Sequence, residues 1–414
     1  MLTGMAESAF RYFETESNAA TGLVRDSTGP ASHASIAGSG MALGSIIVAA
    51  ERGFLTREEA AERSLRALRF LSATHSVNGF FYHFLEYETG ERAGKCEIST
   101  IDSALLFAGA LAAAEYFVGE SQAENEIRSL CLELYFRADW MWMSPRAPVI
   151  AHGWTPEKGF LRYDWRGYNE ALLLYILALG SPTYAVSTDA YDAWLVSYKW
   201  KSIYGKELLY AGPLFIHQMS HAWIDFRGIQ DAFMRDRDSD YFENSRRATY
   251  VQREYARRNP KRFSGYGENC WGVSASTGPG EGKFHGYRAR GVPFGPDDGT
   301  ITPLATAASL PFAPEIVIPA LEHMWRSAGG EHSAGRASFN ASYSSVSGVH
   351  EWRASHTYAI DQGPVALMIE NQRTGLIWNL LKRSPYIRRG LERAGFSGGW
   401  LSSSEETRHA PSAP

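Results

Sequence analysis

The run Ser99-Thr-Ile-Asp102-Ser-Ala-Leu-Leu-Phe-Ala-Gly-Ala-Leu-Ala-Ala-Ala-Glu-Tyr-Phe117 carries only two charges, Asp102 near its start and Glu115 near its end. Read at helical spacing it has no polar face after Asp102, so such a helix must be buried all round. Two other stretches read the same way. Residues 35–52 open on Ser35 and carry Ala37, Gly38, Gly40, Ala42 and Gly44, small enough for close helix packing. Residues 167–179 carry Leu172, Leu173, Leu174, Ile176 and Leu177.

Amphipathic stretches alternate with these. Thr56-Arg-Glu-Glu59 is a capping box leading into 60–73, 124–143 ends at Pro145, and 241–258 is polar on one side. Helices are also expected at 5–13, 190–204, 217–226, 304–310, 314–324 and 364–381. Each apolar helix needs a jacket, and each amphipathic one needs a dry face to cover. An all-α toroid of inner and outer helices satisfies both. No Pro/Ser-rich linker interrupts the series, which predicts one domain over 1–401 and a disordered polar tail over 402–414.

Composition narrows the function. The chain has 414 residues, 41 Lys and Arg against 45 Asp and Glu, and a formal net charge of −4, which argues against a nucleic-acid surface. The apolar stretch at 43–50 is too short to span a bilayer, and Glu51 and Arg52 close it. The first residues are helical in pattern, with no basic-then-apolar leader. The chain as given thus reads as cytoplasmic, or as periplasmic or secreted if a leader has been removed. Cys96, Cys131 and Cys270 are too scattered for a metal motif or a disulfide framework.

Three of the expected helices begin on an acid set against an apolar run. Asp102 follows Ser99-Thr-Ile, Glu170 follows Gly167-Tyr-Asn, and Asp361 precedes Gln362-Gly-Pro364. Pro364 reads as a first-turn proline, which puts Asp361 in or beside the N-cap region. One such carboxylate is ordinarily a cap. Three at equivalent helix ends suggest a shared cavity, because an acid entering an apolar helix must be hydrogen-bonded or face water. The loops 154–165, 204–223, 266–271 and 284–300 are crowded with Trp, Tyr and hydrogen-bonding groups. Aromatic faces stack on sugar C–H faces while polar side chains bind hydroxyls, so acids and loops together suggest glycoside hydrolysis without a cofactor.

Other signals have plainer readings. His217 and His221 share the spacing of zinc ligands, but Gln218 stands where a zinc-protease helix would have Glu. The glycine-rich run 278–283 lacks the spacing and the following Ser or Thr of a phosphate loop. Glu243 precedes Arg246 by three residues, as in a helix ion pair, and Asp297-Asp-Gly-Thr300 reads as a turn. No metal is expected.

The runs Ser99-Thr-Ile-Asp102, Gly167-Tyr-Asn-Glu170, Gly212-Pro-Leu-Phe-Ile-His-Gln218, Ile224-Asp-Phe-Arg-Gly228, Tyr241-Phe-Glu-Asn-Ser-Arg-Arg247, Asp297-Asp-Gly-Thr300, Pro311-Phe-Ala-Pro-Glu315 and Ile360-Asp-Gln-Gly-Pro364 resemble the glucoamylase-like domain family. That family includes the endo-β-1,2-glucanases of glycoside hydrolase family 144 and the related domain of cyclic β-1,2-glucan synthases. The resemblance spans residues 10–400. It implies an (α/α)6 barrel with long aromatic-rich loops over one end, and a β-1,2-glucan or sophoro-oligosaccharide as substrate. It also implies Glu170 as acid, Asp361 as base acting on water, and Asp102 as a third acid in the cleft. Glu243, Glu268, Arg290, Asp298, His217 and Trp271 fall in or near matching motifs and are expected to hold sugars. Thr277 departs from the Asp expected in many relatives, which bears on the subsite at that loop. Inverting hydrolysis is the leading expectation. A retaining transglycosylase and a non-catalytic glucan-binding protein on the same scaffold stand beside it.

Overall fold

The computed structural model describes residues 1–278, 287–327, 343–344 and 352–402. The helices are, in chain order, α1 (Leu2–Thr15), α2 (Ile36–Glu51), α3 (Arg57–Ala73), α4 (Thr100–Tyr116), α5 (Gln122–Phe136), α6 (Leu172–Gly180), α7 (Asp189–Leu195), α8 (Ala232–Arg235), α9 (Tyr241–Arg258), α10 (Pro303–Ala308), α11 (Pro314–Ser327), α12 (Ala359–Thr374), α13 (Leu376–Arg383), α14 (Pro385–Arg393) and α15 (Gly399–Ser402). The chain folds as an α/α toroid, as its sequence predicts.

The inner ring runs α2, α4, α6, an irregular fourth segment at 214–224, α10 and α12, which returns to α2. The irregular segment is tied in on both sides. Leu173 N donates to Ser220 Oγ at 3.1 Å, and Gln218 Nε2 donates to Ala305 O at 2.5 Å. Outside the ring, α3 packs on α5, α14 on α6, α9 on the fourth segment, α11 on α10, and α1 on α12. The ring helices are buried almost throughout, as apolarity without a polar face requires. Small residues set the closest approach. A Cβ on Gly40 would stand 2.6 Å from Leu106 Cα, so α2 and α4 meet main chain to main chain.

Short antiparallel pairs gather at the N-terminal ends of inner helices. Ala34–Ser35 pairs with Phe84–Leu85 ahead of α2, and Ile98–Ser99 joins Gly153–Thr155 and Gly159–Phe160 ahead of α4. Thr300–Ile301 pairs with Tyr343–Ser344 ahead of α10. Ser35 and Ser99 are both helix N-caps, accepting from Gly38 N and Asp102 N. No helix among the described residues is long and apolar enough to cross a membrane. Cys96, Cys131 and Cys270 form no disulfide among the described residues.

Several boundaries differ from expectation. The helix expected over 190–204 stops at Leu195, and Trp200–Ile203 pairs with Lys206–Leu209 around Tyr204 and Gly205, both at positive φ. The helix expected over 217–226 is a short 3-10 turn, Leu214–His217, followed by turns. The helix expected over 364–381 begins earlier and is two helices, broken at Gly375 with φ 71°. Pro364 therefore sits inside α12. Ser402 ends α15, and the tail beyond it lies outside the described residues, as does most of the glycine-rich run.

Candidate active site

The three acids singled out above line one cavity of about 220 Å³. Asp102 is the third residue of α4 and Asp361 the third of α12, while Glu170 lies two residues ahead of α6. Glu170 was expected inside its helix. Asn169 Oδ1 accepts from Ala171 N at 3.0 Å, and this local bond holds the chain in a turn until Leu172. All three acids lie at N-terminal ends of inner helices, so the ring itself brings them together. The walls around them are mostly apolar, formed by Ile101, Leu105, Phe215, Met219, Leu304 and Ile360.

Their environments differ. Asp102 accepts a hydrogen bond from Ser99 Oγ, and its Oδ1 lies 3.7 Å from His83 Nε2. Glu170 and Asp361 are half-buried, open to the cavity but otherwise surrounded by protein. Burial pushes the Glu170 carboxyl up to about 7, reinforced by the charge of Asp102 and opposed by its own backbone N–H. Burial likewise pushes Asp361 up to about 7, with Asp26 adding to the shift. Asp361 is not the helix cap, because no side chain caps α12. Two carboxyls held near neutrality inside one cavity are suited to give and take protons.

His83, Asp26 and Tyr287 belong to this neighbourhood and were not singled out from sequence. His83 and Tyr287 line the cavity. Asp26 is held beside the start of α12 by the bond from Ala359 N to its backbone oxygen, at 2.9 Å. Burial pushes its carboxyl up to about 6, with Asp102 raising it and His83 and His33 lowering it. The Tyr287 ring packs 5.1 Å from Tyr358, whose hydroxyl accepts from Thr277 Oγ1 at 3.1 Å. Thr277, the residue that departs from the family pattern, thus braces the start of α12. The only advance signal for His83 was one polar residue in the run Phe80-Phe-Tyr-His-Phe-Leu85.

None of the six expected sugar contacts is among the residues that line this cavity, and five of them have side-chain partners within the protein. Glu243 pairs with Arg247 on α9, and Arg246 reaches Glu315 instead. Glu268 pairs with Arg253. Arg290 is 1% exposed and holds Asp298 through two bonds of 2.6 and 2.8 Å. Burial would raise Asp298, but the Arg290 guanidinium and Thr300 bring it below the usual carboxylate range. Asp297 and Asp298 accept from Gly299 N and Thr300 N, so this acidic pair is indeed a turn. Trp271 is fully buried in the core. His217 bridges Tyr168 OH and Ala211 O, and His221 meets Ser245 Oγ. Burial pushes these imidazoles down to about 4 and 3, leaving them neutral at ordinary pH. No group of three or more His, Cys, Asp or Glu among the described residues is placed to hold a metal ion.

Residues 162–385 match the Glycoamylase family, described as "Putative glucoamylase", and residues 4–82 match a protein family of unknown function, DUF3131. A crystal structure of the same description from Bacteroides uniformis is 34% identical with a TM-score of 0.87, over 97% of this chain and 98% of that one. An endo-β-1,2-glucanase from Chitinophaga pinensis, solved with sophorotriose and glucose, is 27% identical with a TM-score of 0.87, over 97% and 98% of the two chains. An exo β-1,2-glucooligosaccharide sophorohydrolase from Parabacteroides distasonis is 28% identical over 95% of this chain, which spans 57% of that relative's length. With a family match over more than half its length and a near-full-length relative above 30% identity, the chain belongs to the glucoamylase-like family.

Proposed function

We propose that this protein is a glycoside hydrolase that cleaves β-1,2-linked glucan or sophoro-oligosaccharides by general acid/base catalysis with inversion. The observation that carries this reading is the convergence of Glu170, Asp361 and Asp102 on one cavity, two of them with carboxyls held near neutrality. The β-1,2-glucan activities named for the Chitinophaga and Parabacteroides relatives support the linkage.

In this mechanism Glu170 is protonated and gives its proton to the glycosidic oxygen as the bond to the anomeric carbon breaks. Asp361 is ionised and takes a proton from the water that attacks the same carbon from the opposite face. The departing sugar carries the Glu170 proton, the new hydroxyl keeps the water oxygen, and solvent exchange resets both acids. Asp102 stays beside Glu170 as the third acid, its negative charge helping that residue keep its proton. The apolar walls suit sugar C–H faces and exclude bulk water, which strengthens every charge inside.

The test is NMR of the products from a panel of β-1,2-, β-1,3- and β-1,4-glucans. The expected result is cleavage of the β-1,2 polymer alone, with the α-anomer formed first. A first-formed β-anomer with lengthened or cyclised chains would replace the mechanism by retaining transglycosylation. Binding without cleavage of any member would leave a glucan-binding protein.

A further inference from the structure

The geometry points to His83 as a positioning residue, a cation clamped between Glu97 and Asp102 that sets a positive charge against the Asp102 carboxylate in a cavity otherwise lined by acids. Its catalytic consequence rests on the glycosidase reading above; the charge state does not.

The backbone of His83 is fixed from both sides. His83 N donates to Glu97 O at 2.8 Å, and Ile36 N donates to His83 O at 3.3 Å. The ring lies flat on Phe84, with centroids 3.9 Å apart and planes within 16°. In that pose Nδ1 is 3.0 Å from Glu97 Oε1, and Nε2 is 3.7 Å from Asp102 Oδ1. A neutral imidazole has one N–H and can serve only one of these carboxylates. The protonated ring serves both. Burial works against the charge, but Asp102, Glu97 and Asp26 together outweigh it and raise the ring to about 9.

The other charged groups around the ring are acids or partners of acids. Glu97 is drawn below the usual carboxylate range chiefly by His83, with Arg92 on its other side. Asp26 stands near with its own neighbour His33, and Glu170 and Asp361 share the cavity. Among the described residues lining that cavity, His83 is the basic one against three carboxyls. Without it, Glu97 and Asp26 would hold their protons to higher pH, and the Asp102 carboxylate would face Glu170 with no cation beside it.

The experiment uses the full chain with His83→Asn and Glu97→Gln. The first measurement is the NMR titration of the His83 ring, assigned by its loss in His83→Asn. In the wild type the ring is expected to stay protonated beyond pH 8, and Glu97→Gln to lower that midpoint. A wild-type ring titrating at 6.5 or below, or a midpoint unmoved by Glu97→Gln, overturns the proposal. The second measurement is kcat/KM against pH on β-1,2-glucan. His83→Asn is expected to move the alkaline limb, which Glu170 sets and the Asp102 charge acts on, to higher pH. A profile superimposable on the wild type overturns the positioning role. If His83→Asn fails to fold by thermal melting, the Glu97→Gln titration decides instead, the ring resonance being assigned through the other histidines. Wild-type inactivity on every glucan sinks the glycosidase reading alone, and the ring titration still decides the charge.

Discussion

Arg52, at the end of the first inner helix, grips Glu370 in the last one through a two-pronged ion pair, with Nε donating to Oε2 at 2.6 Å. The two residues are 318 positions apart, and their pairing fastens the ring where its ends meet. Glu370 has a side chain only 2% exposed, and Thr374 Oγ1 also donates to it at 2.6 Å. Arg52→Ala would leave that carboxylate buried without its cation, at a cost of about 3 kcal/mol. Urea unfolding should show this loss, and Glu370→Gln in the same chain should recover part of it. Activity well below the melting temperature should persist, because the pair lies at the far ends of α2 and α12 from the cavity acids.

Glu170→Gln and Asp361→Asn should each lower kcat by roughly 10²- to 10⁴-fold, the usual worth of a placed acid or base. Calorimetric binding of sophoro-oligosaccharides should survive in both variants. Unchanged cleavage in both would remove these residues from the mechanism.

The pH profile of the wild type follows from two carboxyls near 7. Activity requires one protonated and one ionised, so kcat/KM should be bell-shaped with its maximum close to neutral pH. The limbs report the coupled set and not single residues.

The same carboxyls should cost stability. Both are raised above their unfolded values, so the folded protein binds more protons than the unfolded chain between about 4 and 7. Their contribution is most favourable below the unfolded values and is lost as pH rises through 7. Glu170→Gln or Asp361→Asn should therefore raise stability at pH 8 by on the order of 1 kcal/mol, after allowing for their partial exposure, and have little effect at pH 4. Melting curves of each variant at the two pH values would show whether the sign is right.

Gly109→Val should be far more damaging than an ordinary surface change. A side chain there would meet the Gly40 carbonyl across the α2–α4 contact, where only backbone faces backbone. A loss of about 1–3 kcal/mol or more is expected from such overpacking, visible as a lowered unfolding midpoint.

The ring was legible because its helices lack a polar face, and nothing but burial explains that. Helix α9 was legible to the residue. Asp240 caps it by accepting from Glu243 N, and Asn259 ends it in the left-handed region. Where local chemistry competes with periodicity, the pattern misleads. Asn169 delays α6, Tyr204-Gly205 turns an expected helix into a hairpin, and Gly375 divides α12 from α13. The acids were legible for a related reason, since a charge at the mouth of an apolar helix calls for an explanation. His83, Asp26 and Tyr287 carry no such mark. They come to the cavity or to its edge from loops and two-residue strands whose placement depends on contacts remote in sequence.

The main-chain contact between α2 and α4 also limits how this scaffold can diversify. With no side chain between Gly40 and Gly109, there is nothing to trim or enlarge at that crossing, so the spacing of the two helices there is fixed. Room for a longer or differently bent polymer must come from the strand pairs and loops at the rim. Altered preference among descendants of this chain should therefore track insertions there, while the glycine seam is inherited intact.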